Sequence, residues 1–155
     1  MSITARITNT ASRTGAPARL ATRAHAWAYR RLRGRGVARW FGADVMVLET
    51  VGRRTGRTRS VPVIYVRDGD DLVALAANAG LDVPPSWWLN LRDAAHGVAM
   101  IGTERRTVRP RVAQGEERER LWAKLVAAYP PAADYPRFTD RVLPVVVLEP
   151  VREGA

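Results

Sequence analysis

The chain has 155 residues, enough for one domain with a real core. At 46% hydrophobic and 26% charged it is neither a disordered tail nor a membrane protein, and no apolar run approaches the roughly 20 residues of a spanning helix. Cysteine is absent, which removes disulfides, thiolate metal sites and a cysteine nucleophile together. His25 and His96 are the only histidines and Ser2, Ser12, Ser60 and Ser86 the only serines, so a Ser-His-Asp hydrolase has little to work with. No metal site is expected, and reactive chemistry is expected to belong to a bound cofactor.

The formal charge of +10 is unevenly spread: residues 1–67 hold 14 arginines against Asp44 and Glu49, and Lys124 is the only lysine. Arginine's planar fork suits phosphate and carboxylate, so a polyanionic partner is one reading. A high-GC codon bias explains arginine over lysine but not the clustering. Residues 1–41 carry nine arginines and no acid. With no secretory apolar segment behind that basic start, a cytoplasmic protein is expected, with residues 1–41 as a basic tail and helix and 42–151 as the folded domain.

Residues 1–16 lack a hydrophobic period. Pro17 can open a helix to about Arg33, with Leu20, Ala24, Trp27 and Ala28 on one face and Arg19, Arg23 and Arg30 on the other. Such a helix can rest on an anionic membrane or pack on its own domain, and the weak stripe favours self-packing. From Asp44 the pattern turns to strands. Val45–Val51 and Ser60–Arg67 flank a glycine-bearing hairpin, and Leu72–Ala77 follows the turn at Asp68-Gly69-Asp70. Pro84 and Pro85 precede a short helix through Trp87, Leu91 and Arg92. Val98–Ile101 and Arg105–Val112 read as a hairpin about Gly102. Glu116–Ala128 is the clearest helix, with Leu121, Trp122, Leu125 and Val126 at helical spacing and acids in its first turn. Leu143–Leu148 closes the chain as a buried strand. Six short strands with late helices predict a small, mostly antiparallel barrel with helical additions. No dinucleotide or P-loop glycine motif occurs.

Three segments can carry chemistry. Gly52-Arg53-Arg54-Thr55-Gly56-Arg57-Thr58-Arg59 can hold a phosphate through turn N–H groups and guanidinium forks, or be a solvated basic hairpin. Ala76-Ala77-Asn78-Ala79-Gly80 leaves room for a flat ring, which Trp87 or Trp88 could wall; both tryptophans could equally be core. Tyr129 and Tyr135, on a proline-interrupted loop, can line an apolar pocket or pack against a helix. Neither histidine suggests a catalyst.

These segments, in this order, resemble the deazaflavin-dependent nitroreductase family of actinobacteria. The resemblance rests on Gly52–Gly56 with Arg59 and Pro62, on Trp87-Trp88-Leu89-Asn90-Leu91, and on Ala128-Tyr129-Pro130 through Thr139-Asp140-Arg141 to Pro144–Val147. It covers about Val45 to Pro150. It implies a six-stranded antiparallel split β-barrel of the FMN-binding type, mostly β with inserted helices, holding the deazaflavin coenzyme F420. It also implies hydride transfer from the reduced coenzyme's C5 to a quinone, enone or nitroaromatic. Arg53, Arg54 and Arg59 match positions that hold the coenzyme's phosphate and acidic tail, with Thr55, Gly56, Arg57 and Pro62 in the same hairpin region. Ala77, Asn78, Ala79 and Gly80 match the loop beside the ring, where several relatives place a lysine at the Asn78 position. Trp87 and Trp88 match an aromatic pair towards the cofactor and the substrate respectively. Tyr129 and Tyr135 match two substrate-pocket tyrosines and are candidate proton donors, with solvent as the other source of the proton. Ala132 and Ala77 replace a third tyrosine and a serine, which implies a more apolar pocket, better suited to quinones than to nitro groups.

FMN in the same barrel and a non-catalytic cofactor- or lipid-binding barrel are the alternatives. Nucleic acid is not expected, because aromatics do not interleave with the basic loop. Oligomeric state is left open, as is peripheral membrane contact through residues 1–41.

Overall fold

The computed structural model describes residues 39–40 and 42–152. The expected tail, and the helix at 17–33 with its membrane reading, lie outside the described residues. Eight strand segments appear where six were expected: β1 (Arg39–Trp40), β2 (Ala43–Val51), β3 (Thr58–Ile64), β4 (Val66–Asp68), β5 (Asp71–Leu75), β6 (Gly97–Ile101), β7 (Glu104–Val112) and β8 (Val145–Pro150). Two helices, α1 (Ser86–Ala94) and α2 (Gly115–Ala128), interrupt them, with short 3-10 segments at Asn78–Gly80 and Pro130–Arg137. The strand count rises because β1 is a two-residue addition and because the second expected strand is split at Tyr65 into β3 and β4. No helix among the described residues is long and apolar enough to cross a membrane.

Every pairing is antiparallel, in the order β1-β2-β6-β7-β8-β5-β4, with β3 also on β2. The period-2 pattern builds the interior. Met46 and Leu48, Val63 and Tyr65, Leu72 and Ala74, and Val146 and Leu148 meet there with Ala99 and Val108, and Trp88 and Leu91 of α1 pack into the same cluster. β5 and β8 also bury their other face: Val73, Val145 and Val147 lie under Leu121 and Leu125 of α2. Burial on both faces is why these two strands read as unbroken apolar runs.

Burying a Leu or Val side chain contributes about 1.5–3 kcal/mol, so this interior is the main source of stability. Glu116 and Glu117 sit in the first turn of α2, where the helix dipole favours acids. Arg111 of β7 donates to both carboxylate oxygens of Glu117, tying that helix start to the sheet. Pro62 interrupts no described ladder: Tyr65 N–H donates to Asp44 O of β2, so by the alternation of the strand the Pro62 nitrogen faces away from β2, the one described partner of β3.

Candidate functional site

The β2–β3 hairpin places four arginines at one end of β3. Gly52 N–H donates to Arg57 O at 2.8 Å, Gly56 N–H to Gly52 O at 2.7 Å, and Arg57 N–H to the Thr55 hydroxyl at 3.3 Å. Gly52 is closely packed: a Cβ there would lie 2.9 Å from Thr55 Oγ1 and 3.1 Å from Arg57 O, so the Thr55 hydroxyl would have to turn away. The turn therefore spends these N–H groups on itself. The expected backbone cradle for a phosphate is largely consumed, and anion binding falls to the guanidinium groups.

Those groups are not equivalent. Arg53 is tied to α1: its backbone N–H and its Nη1 both donate to Asn90 Oδ1, at 3.2 and 3.0 Å. Asn90 is buried, and its Nδ2 donates to the buried Thr50 hydroxyl at 3.2 Å. The guanidinium groups of Arg54, Arg57 and Arg59 are exposed and have no partner among the described residues. Like charges so close repel, and an anion relieves that repulsion. Asn90 lies within the Trp87–Leu91 motif, whose resemblance implies no role for it. The signal for it was a lone amide on an otherwise apolar stretch of helix.

At the end of β5 the chain makes a left-handed turn, with φ of +48° at Asn78, +54° at Ala79 and +76° at Gly80. Asparagine tolerates this region better than lysine would. Its side chain is also engaged, with Nδ2 donating to Val83 O at 2.9 Å. At Gly80 a Cβ would meet Phe138 at 2.9 Å and Tyr135 O at 3.0 Å, so only glycine fits. Arg141 closes over this turn. Its Nε donates to Leu81 O at 2.8 Å, Nη1 to Ala76 O at 3.2 Å and Nη2 to Ala77 O at 2.7 Å. Burial lowers the Arg141 pKa, with the charge of Asp82 opposing. Arg141 was quoted in the third motif without a role, because nothing local marks which carbonyls an arginine will reach.

Tyr129, Ala132, Tyr135 and Ala77 come together in one buried cluster with Ala43 and Leu143, against which Ile64 and Ala79 pack. The tyrosine rings are 6.4 Å apart, and the Tyr135 hydroxyl donates to the Tyr129 oxygen at 3.4 Å. Burial first, and the hydrogen bond with Tyr129 second, push the Tyr135 pKa well above the ordinary phenol value. It therefore stays protonated. Ala77 and Ala132 are both buried in this cluster. The tryptophans lie elsewhere: Trp88 belongs to the interior core, and Trp87 packs edge-on against it at 6.5 Å. His96 is exposed in a loop, its ring Nδ1 2.9 Å from Ala94 O. No group of His, Asp or Glu suited to a metal occurs among the described residues.

β3 connects the two ends. From Arg59 to Ile64 is five residues, about 17 Å at 3.3 Å each, and Ile64 packs against the buried cluster that contains Ala77 and the tyrosines. The sequence profile of the F420H(2)-dependent quinone reductases matches residues 21–150. The chain belongs to that family. It is accordingly an oxidoreductase whose coenzyme is F420 and whose acceptor is a small molecule, a quinone.

A Mycobacterium tuberculosis protein named an F420H(2)-dependent quinone reductase is 31% identical over 133 residues, covering 81% of this chain and 87% of that one. A second from the same species, assigned provisionally to the same activity, is 33% identical over 105 residues, covering 68% and 88%. A solved structure described as an F420-H2 dependent reductase shares 32% identity at a TM-score of 0.62, covering 68% of this chain and 93% of its own. A haem storage protein of Vibrio cholerae, at 12% identity and TM-score 0.54, shares the fold alone. The nitroreductase resemblance and this quinone reductase family agree on the coenzyme.

Proposed function

We propose that this F420H2-dependent quinone reductase holds its coenzyme along β3, with the acidic tail at the arginine hairpin and the ring at the left-handed turn. The observation that carries this reading is the set of three guanidinium groups, at Arg54, Arg57 and Arg59, that have no partner among the described residues, at one end of a strand whose other end packs against the cluster containing Ala77. The residues fit the group. An acidic, phosphate-bearing tail requires unpaired cations, and a flat ring requires a wall without bulky side chains, which Ala77, Ala79 and Gly80 provide. When bound, reduced F420 supplies a hydride from C5.

The protein's own contribution is placement. Arg54, Arg57 and Arg59 bind the tail, and Arg53, held by Asn90, fixes the hairpin that carries them. Tyr129 and Tyr135 line the acceptor side. Because Tyr135 stays protonated, it acts as a hydrogen-bond donor, and the proton that completes quinone reduction comes from solvent. The buried alanines at 77 and 132 favour a flat, apolar quinone, whose binding rests mainly on buried area. We also read β3 and β4, parted only by Tyr65, as one bent strand. It would pair with β2 at one end and β5 at the other and close a six-stranded split barrel.

The test is fluorescence titration with F420 and FMN, followed by F420H2 oxidation with a quinone. Arg54→Ala and Arg59→Ala are each expected to weaken F420 binding by about 1.5–3 kcal/mol, the range for hydrogen bonds to charged groups. Unchanged affinity in both variants, or binding of FMN in preference to F420, would overturn the placement.

A further inference from the structure

We infer that Arg141 is a positioning residue, which shapes the turn at 77–80 that receives the deazaflavin ring. The inference rests on the coenzyme placement proposed above. Three consecutive left-handed residues, two of them not glycine, are a costly backbone state, because a Cβ crowds the backbone there. The turn's own bonds are short-range: Gly80 N–H to Ala77 O at 2.9 Å and Leu81 N–H to Asn78 O at 3.1 Å. Neither joins the turn to the rest of the fold, and the nearest backbone bond that does, Ala76 N–H to Pro144 O at 2.9 Å, holds the residue just after β5 and stops short of the turn.

Arg141 supplies that link. Its three hydrogen bonds straddle the turn, with Ala76 and Ala77 before it and Leu81 after it, across about 60 residues of sequence. It makes no ion pair with a described residue, so the guanidinium is given over to backbone carbonyls. A lysine presents a single nitrogen on a flexible stem and cannot span all three acceptors in one planar fork. The arginine therefore acts as a template: its rigid geometry sets the spacing between the end of β5 and Leu81. Ala77 and Ala79, the small residues that leave room for a ring, lie within that span. The arginine hairpin is a separate region, so the ring end and the tail end of the site are adjusted by different residues.

The experiment compares the wild type with Arg141→Met and Arg141→Lys in three measurements. These are amide hydrogen exchange at Gly80 and Leu81 without coenzyme, affinity for F420 and for a deazaflavin lacking the acidic tail, and KM for F420H2 against KM for the quinone. Arg141→Met is expected to speed exchange at both amides at least tenfold. It should weaken the tailless deazaflavin and the full coenzyme by the same factor, and raise KM for F420H2 more than KM for the quinone. Arg141→Lys, which keeps the charge, is expected to recover only part of each effect and serves alone if the methionine variant does not fold. The inference is overturned if lysine restores wild-type values. It is also overturned if the variants merely melt earlier while coenzyme affinity and the KM ratio hold. A wild type that fails to bind F420 refutes the coenzyme placement instead, and the exchange measurement still reports whether Arg141 shapes the turn.

Discussion

Replacing Asn90 tests the link between α1 and the arginine hairpin. Its amide makes three hydrogen bonds of 3.0–3.2 Å, two accepted from Arg53 and one donated to Thr50. Asn90→Leu keeps the branching at Cγ and the number of side-chain heavy atoms, is bulkier, and deletes all three. It strands the buried Thr50 hydroxyl, only 3% exposed, in a place where its amide partner is gone. A net hydrogen bond contributes about 0.5–1.5 kcal/mol, and a buried polar group left unsatisfied costs about 1–3 kcal/mol, so a loss of roughly 2–4 kcal/mol is expected. For a domain of this size that lowers Tm by roughly 8–16 °C. Asn90→Asp separates the two roles of the amide. Its carboxylate can still accept from Arg53 and can accept from a rotated Thr50 hydroxyl, but it cancels one positive charge of the hairpin. The aspartate variant is expected to melt closer to wild type than the leucine variant. It should bind F420 several-fold more weakly, with a deficit that shrinks as salt screens the loop. Thermal melts and fluorescence titrations at two ionic strengths decide the matter. If Asn90→Leu melts within 1–2 °C of wild type and binds F420 equally well, the amide does not hold the hairpin.

Gly80→Ala is expected to lower Tm and weaken coenzyme binding together, because it adds a Cβ at φ +76° and about 3 Å from Phe138 and Tyr135 O; a melt unchanged within error would count against the left-handed turn. The Asp68 carboxyl, held down to about 2 chiefly by its hydrogen bonds from Arg120, stabilises the fold above its unfolded value near 4. That contribution is lost as pH falls from about 4 towards 2, so Asp68→Asn should be less stable than wild type at pH 6 and converge on it near pH 2 in acid-unfolding curves. Ala132→Tyr, which puts a ring into a buried cluster, is expected to cost about 1–3 kcal/mol by overpacking. It should also raise kcat/KM for a nitroaromatic relative to a quinone. A fall in that ratio would show that a hydroxyl at 132 does not reach the acceptor.

Much of the architecture follows from local pattern. The apolar, β-branched run Val45–Val51, the unbroken run Leu72–Leu75 and the 3.6-residue period of Leu121, Trp122, Leu125 and Val126 each report burial, and two strands and a helix form at those places. The arginine hairpin and the small-residue loop were legible for a similar reason, since glycine and clustered charge are local properties of the chain. The break at Tyr65 was not, because a bend that turns β3 into β4 depends on the strands each half pairs with. The same holds for the division of labour in the hairpin. Arg53 and Arg54 are neighbours of identical chemistry, and only the approach of Asn90, 37 residues away, makes one a strut and leaves the other without a partner among the described residues. Arg141 is the extreme case. Its role lies in three carbonyls that come together only when the segment after α2 folds back over the end of β5, and a carbonyl carries no mark of its partner in its side chain.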